Sequence, residues 1–228
     1  ADLLSTDNTH VLFTVLERAE AKRPYVTNYV TESSYTEDIP ARTFVGDTQD
    51  RRTVIVMDLK SGTSQPADGS FAGKRDLNWS MPQPNDSGSM VIGRVRSEDN
   101  KDLWLVAIDP ATAKTRLVDT LHDDAWVQNP PFGWLDDQQH LWFLSERDGW
   151  NHLYLYDGQT GRVKNQITKG TWVVRSVAGL DSKSRQIYFP ASGFDPQQAP
   201  HLTPPFPVTI DCSHPPPPPP ADPPPPPP

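Results

Sequence analysis

Apolar residues in this chain come in short runs, several of them alternating with polar positions, and the runs are broken by turns rich in Gly, Asp and Asn. Between Leu141 and Gly170, LWFL stops at the polar turn Ser145 to Gly149. LYLY then leads to Asp157 and the turn Gly158 to Gly161, and a third run closes on Ile167. Short β-rich runs between such turns predict an antiparallel meander. No stretch sustains a 3.6-residue apolar period, which argues against an α/β chain.

The meander repeats. A strand ending in Asp before a turn recurs as VIVMD to Asp58, LVAID to Asp109, LYLYD to Asp157 and PVTID to Asp211, at spacings of 51, 48 and 54 residues. A second marker, an apolar residue or Trp leading into a polar turn and then a strand, precedes each: LLSTDNTHVLFTV (3–15), NWSMPQPNDSGSMVIGRV (78–95), GWLDDQQHLWFL (133–144) and GLDSKSRQIYFP (179–190). Four short antiparallel strands per roughly fifty residues are the unit of a β-propeller blade. The expectation is an all-β fold of about four four-stranded blades over residues 1–212, in units of approximately 1–70, 71–122, 123–170 and 171–212. Four such blades do not close a ring, so a longer parent polypeptide is expected.

The first unit carries an insertion, roughly Glu17 to Arg52, between its second and third strands. Loops this long are functional, disordered or packed on their own blade. Tyr25, Tyr29 and Tyr35 interleave there with Glu32, Glu37 and Asp38, a composition that suits contact with a peptide or a neighbouring domain.

Composition narrows the partners. The formal charge is −8, with no Lys/Arg cluster, which speaks against a nucleic-acid or anionic-membrane surface. A single cysteine, Cys212, allows no internal disulfide and no Cys-based zinc site. No apolar run approaches the roughly 20 residues of a membrane span, and ADLLSTDNTH does not have the pattern of a signal peptide. Twelve of the 26 prolines lie in 215–220 and 223–228, so residues 213–228 read as a low-complexity or misassigned tail.

Catalytic and metal patterns are missing from these residues. There is no Gly-x-Ser-x-Gly elbow and no glycine-rich phosphate loop, and the six histidines are scattered without metal-ligand spacing, so neither metal nor cofactor is expected. The acid pairs Asp123–Asp124 and Asp136–Asp137 read as turn-capping carboxylates. In the turn Ser145 to Trp150, Asp148 and Gly149 are expected to shape the hairpin, Glu146 and Arg147 to be solvated or ion-paired, and Trp150 to pack between blades. Trp79, Trp134 and Trp172 are expected in the core or between blades.

Beyond its repeat, FLSERDGWNHLYLYD followed by ITKGTWVV and IYFPASG resembles the N-terminal β-propeller of dipeptidyl peptidase IV and its bacterial relatives in the prolyl oligopeptidase clan of serine peptidases. YVTESSYTED, RSEDNKDLWLVAIDPATAKTR and HDDAWV are similar to bacterial members, and the resemblance runs from about residue 1 to Gly193. It implies a seven- or eight-bladed ring stacked on a C-terminal α/β-hydrolase domain that carries a Ser-Asp-His triad, in a periplasmic or secreted enzyme that can form a homodimer. None of the triad is in these residues. The family's paired-glutamate clamp for a substrate amino terminus normally precedes the blade with which this chain starts; these residues contain no WVYEEE-like segment, so the clamp is expected either upstream of Ala1 or missing.

By the same resemblance, His122 to Phe132 falls where the family lines an extended substrate pocket. Trp126 is therefore the substrate-contact candidate, although it also reads as an inter-blade tryptophan; Glu32, Glu37 and Asp38 are the further candidates. The implied role is non-catalytic, restricting access and orienting peptide substrate for the hydrolase domain. The rival is a stand-alone binding or scaffold propeller. After Gly193 the pattern departs from the family: Phe206, Val208 and Ile210 keep a strand alternation, but the repeated prolines are expected to delete ladder donors.

Overall fold

Runs of β-branched, aromatic and leucine residues form the long strands of the computed structural model, which describes residues 3–5, 9–41, 43–44, 46–194, 199 and 203–211. Cys212, His201, His214 and the proline tail lie outside the described residues. Sheet 1 holds β1 (Leu3–Ser5), β2 (His10–Glu17), β5 (Arg51–Asp58) and β6 (Ser64–Pro66), and the insertion between β2 and β5 forms its own hairpin, β3 (Tyr25–Asn28) with β4 (Glu37–Pro40). Sheet 2 holds β7 (Leu77–Trp79), β8 (Gln83–Pro84), β9 (Val91–Ser97), β10 (Asp102–Ile108) and β11 (Thr115–His122). Sheet 3 holds β12 (Phe132–Trp134), β13 (His140–Ser145), β14 (His152–Asp157) and β15 (Val163–Gln166). Sheet 4 holds β16 (Val173–Val174), β17 (Gly179–Asp181), β18 (Gln186–Ser192) and β19 (Pro205–Thr209). All pairings are antiparallel, and the one helical turn among the described residues is a 3-10 turn at Ser70–Ala72.

Consecutive sheets pack face to face. Leu12, Val54 and Val56 of sheet 1 meet Val91, Val95, Val106 and Ile108 of sheet 2. Ile92, Leu103 and Leu105 on the opposite face of sheet 2 meet Phe132, Leu141, Phe143, Tyr154 and Tyr156 of sheet 3. Leu144, Leu153 and Leu155 then meet Ile187, Phe189 and Phe206 of sheet 4. β10 and β13 are covered on both faces, which is why DLWLVAI and HLWFLS read as continuous apolar runs rather than alternations. Each fully buried large side chain here, such as Phe143 or Leu105, contributes about 1.5–3 kcal/mol of apolar burial.

Within each sheet the strands run so that the turns of both sequence markers fall at one end. Asp58 Oδ1 accepts the Lys60 and Ser61 N–H groups at 2.8 Å, Asp109 Oδ1 accepts Ala111 N–H at 2.9 Å, and Asp157 Oδ1 accepts Thr160 N–H at 2.7 Å. On the neighbouring turns, Asp137 Oδ1 accepts Gln139 and His140 N–H at 2.9 Å, and Asp181 Oδ1 accepts Lys183 N–H at 3.0 Å. The repeated aspartates are therefore local backbone caps. The opposite end carries the β2–β5 insertion, the β9–β10 and β13–β14 turns and the crossovers into sheets 2, 3 and 4.

Two expectations need correction. Trp150 does not pack between sheets: Gly149, at φ +91°, turns the chain so that Trp150 stays 41% exposed. β19 forms despite Pro205 and Pro207, because it is an edge strand on which the prolines take exposed positions while Phe206 and Val208 are buried against β18. Trp79 and Trp172 are buried as expected. Trp134 is partly buried, with its indole N–H donating to Gln83 O at 3.2 Å.

Candidate functional site

At the crossover end, sheet 3 lacks half of its first strand. In sheet 2, β7 and β8 together cover β9 from Val91 to Ser97, and in sheet 4 β16 and β17 do the same for β18. In sheet 3, β12 reaches only Phe143, and beyond it Leu144 N–H donates to Pro131 O at 3.3 Å. Pro130 and Pro131 have no N–H to continue a ladder. The segment Trp126 to Pro131 thus runs outside the sheet, and a cleft of about 740 Å³ opens there.

One wall of the cleft is the β11–β12 crossover, with His122, Asp123, Trp126, Gln128 and Asn129; the other includes Glu146, Arg147 and Asn151 of the β13–β14 turn and Val173 to Arg175. Asp123 Oδ1 accepts Ala125 N–H at 2.7 Å and Trp126 N–H at 2.8 Å, and these bonds hold its carboxyl below the usual carboxylate range. Trp126 is 52% exposed, and the centre of its ring lies 5.9 Å from the Arg96 guanidinium. His122 Nδ1 is 2.7 Å from Asp102 Oδ1, and its Nε2 is 3.2 Å from Asp124. Asp102 is also ion-paired to Arg75.

Arg147 anchors the second wall. It bonds Asp119 and the Tyr156 hydroxyl and lies 4.5 Å from the centre of the Tyr154 ring. Burial works against its charge, but the Tyr156 and Asp119 oxygens outweigh burial and its pKa is raised. Tyr154 is pushed up to about 12, first by burial and then by Asp148, and Tyr156 is raised further by burial and Asp119. Arg175 is held by its Nε, which donates to Ser192 Oγ at 2.8 Å.

The sequence candidates fall in two places. Trp126 lines the cleft, whereas Glu32, Glu37 and Asp38 lie on the β3–β4 hairpin and are not among the residues lining the cleft. Asp38 accepts the Thr27 hydroxyl at 3.0 Å, and Glu32 occupies the exposed hairpin tip. The hairpin's base is pinned by Asp50, which accepts Ala19 N–H and pairs with Arg23 at 2.9 Å. Tyr29 and Tyr35 on it are 80% exposed.

Sequence reasoning missed Arg75, Asp102, Arg94 and Arg96; of the two alternatives expected for Arg147, solvated or ion-paired, the structure shows the ion pair, with Asp119 as its partner. The one legible signal is in VIGRVRS, where Arg94 and Arg96 occupy the same strand face as the buried Ile92. The cleft offers both charge signs, side-chain amides and an aromatic face, but its lining contains no serine, cysteine or lysine. Charges of both signs, amides and an aromatic face in one concave site are what a binding surface presents. Among the described residues no cluster of His, Cys, Asp or Glu could hold a metal, and no helix is long and apolar enough to cross a membrane.

Comparison with known proteins bears on the family. The dipeptidyl peptidase 4 of Arthroderma otae is 33% identical over 75 residues, 31% of this chain and 10% of the relative; that of Trichophyton rubrum is 29% identical over 103 residues, 43% and 13% of the two chains. The crystal structure of Porphyromonas gingivalis dipeptidyl peptidase 4 superimposes with a TM-score of 0.69 at 15% identity, over 88% of this chain and 28% of that one, a likeness of fold. The chain thus spans under a third of these relatives' length. The profile of the dipeptidyl peptidase IV (DPP IV) N-terminal region matches residues 3–201, and with the stacked antiparallel sheets of a β-propeller this places the chain in the dipeptidyl peptidase IV N-terminal region family.

Proposed function

We propose that this chain is the non-catalytic propeller portion of a serine peptidase of the dipeptidyl peptidase type, acting outside the cytoplasm. In this reading it restricts access to an α/β-hydrolase domain of the same polypeptide and orients the peptide substrate. The observation that carries the reading is the cleft at the interrupted edge of sheet 3. Its Trp126 face, its amides Gln128, Asn129 and Asn151, and its carboxylates and guanidinium groups match an extended peptide, which is itself zwitterionic and rich in amides. A rigid wall of this kind converts binding energy into positioning of the scissile bond without taking part in bond cleavage.

The β3–β4 hairpin is the second contact region in this proposal. Glu32, Glu37 and Asp38 supply carboxylates for the cationic end of a peptide, and the exposed Tyr25, Tyr29, Val30 and Tyr35 supply apolar area for the rest of the polypeptide or for a second copy in a homodimer. Photo-cross-linking of a benzophenone-bearing peptide to the full-length protein, mapped by mass spectrometry, tests the reading. Adducts within residues 120–131 or 146–151 are expected, and adducts confined to other surfaces would refute it. Labelling by a fluorophosphonate separates the rivals, since a full-length protein that takes no label is a scaffold propeller.

A further inference from the structure

We propose that Arg94 and Arg96 are the positioning residues of the Trp126–Pro131 wall, tying it to sheet 2 in place of the missing strand. The inference rests on the cleft reading above and deepens it. Both guanidinium groups project from β9 on the face that packs against sheet 3, alongside Ile92. Neither has a carboxylate within 4.0 Å among the described residues, in a chain with an acidic excess.

Each is turned instead toward the irregular wall. Arg94 Nη1 donates to the Pro130 carbonyl at 2.6 Å, while its Nε is buried without a partner. Burial, then the neighbouring Arg96, lower the Arg94 pKa, so holding a cation here is costly. Arg96 faces the Trp126 ring at 5.9 Å, a cation–π contact. Besides these two contacts, the wall is held by Trp126 N–H to Asp123 Oδ1 at 2.8 Å, by Val127 N–H to Asn100 O at 2.8 Å, by burial of Val127 in the core between sheets 2 and 3, and by the long Leu144 bond to Pro131, and none of these reaches the Pro130 carbonyl. A desolvated arginine bonded to a carbonyl that no ladder reaches makes sense as a substitute for the strand pairing that Pro130 and Pro131 forbid.

The test is hydrogen exchange by mass spectrometry on the full-length protein and its Arg94→Met, Arg94→Lys and Arg96→Gln variants. Arg94→Met is expected to speed exchange across residues 125–133 about tenfold, with residues 103–108 and 141–144 unchanged, and Arg94→Lys, which can still donate to Pro130, to restore most of the protection. Unchanged exchange in the wall, or equal loosening of all of sheets 2 and 3, would overturn the proposal. If Arg94→Met fails to fold, Arg96→Gln decides by the same readout. Peptide KM measured on the same variants is a separate arm: local loosening with an unaltered KM leaves the tie standing and counts against the cleft as the peptide site.

Discussion

Asp119 on β11 and Arg147 in the β13–β14 turn pair across two sheets, and the Tyr156 hydroxyl closes the triangle by donating to the same Asp119 oxygen at 2.5 Å. Tyr156 is fully buried and the Asp119 and Arg147 side chains keep 16% and 31% of their surface, so removing one member leaves the buried hydroxyl or the half-covered charges without their partner. Arg147→Met is expected to destabilise the protein by about 1–3 kcal/mol, and Tyr156→Phe by less, measured as the urea midpoint at constant slope. A double-mutant cycle on Asp119 and Arg147 should return a coupling above the few tenths of a kcal/mol typical of exposed pairs.

Tyr154 supplies an alkaline signature. Its folded pKa lies above the ordinary value of 10.0, so the folded state keeps a proton that the unfolded chain gives up. The associated stability is fully present below about pH 10 and is lost as pH rises toward about 12. Tyrosinate absorbance of the wild type and of Tyr154→Phe should differ only above about pH 11. A difference near pH 10 would show that Tyr154 is not shielded.

Acid acts at the other end of the sheets. Asp58, Asp109, Asp137, Asp157 and Asp181 are all held below 3.8, chiefly by the turn N–H and hydroxyl groups they accept, with burial opposing. Their contribution is complete above about pH 4 and is lost as pH falls through the folded values, so the thermal midpoint should stay flat from pH 7 to about 5 and drop below about 4. Asp137→Ala, which removes two backbone bonds and the contact to His140, should lower stability at neutral pH by about 1–2 kcal/mol and flatten part of that acid drop.

A steric test lies at Gly158. A Cβ there would sit 2.7 Å from the Trp134 ring and 2.9 Å from the Gln139 carbonyl, and the backbone atom cannot yield as a side chain could. Gly158→Ala should cost about 1–3 kcal/mol in chemical denaturation.

Much of the scaffold was legible because it is written locally. Asp58, Asp109, Asp157, Asp137 and Asp181 bond backbone two or three residues on, so each turn leaves a short signature that recurs at the repeat period. The cleft end is written non-locally. Arg94 reaches Pro130 across 36 residues and Arg147 reaches Asp119 across 28, and no spacing rule connects such partners. Trp126, which lines the cleft, was singled out through family resemblance, whereas the hairpin in the insertion had no pattern longer than four residues per strand to show it. Pro130 and Pro131 were in plain view, but their meaning depends on β7–β8 and β16–β17 completing the neighbouring edges where β12 does not.

The most direct test of the peptide-orienting role is steady-state cleavage of a chromogenic dipeptidyl substrate and of longer peptides by full-length protein carrying Trp126→Ala. A peptide that lies on the cleft should lose one aromatic contact, raising KM about tenfold while kcat stays within about twofold. KM values equal to those of the wild type for every peptide length would contradict the account.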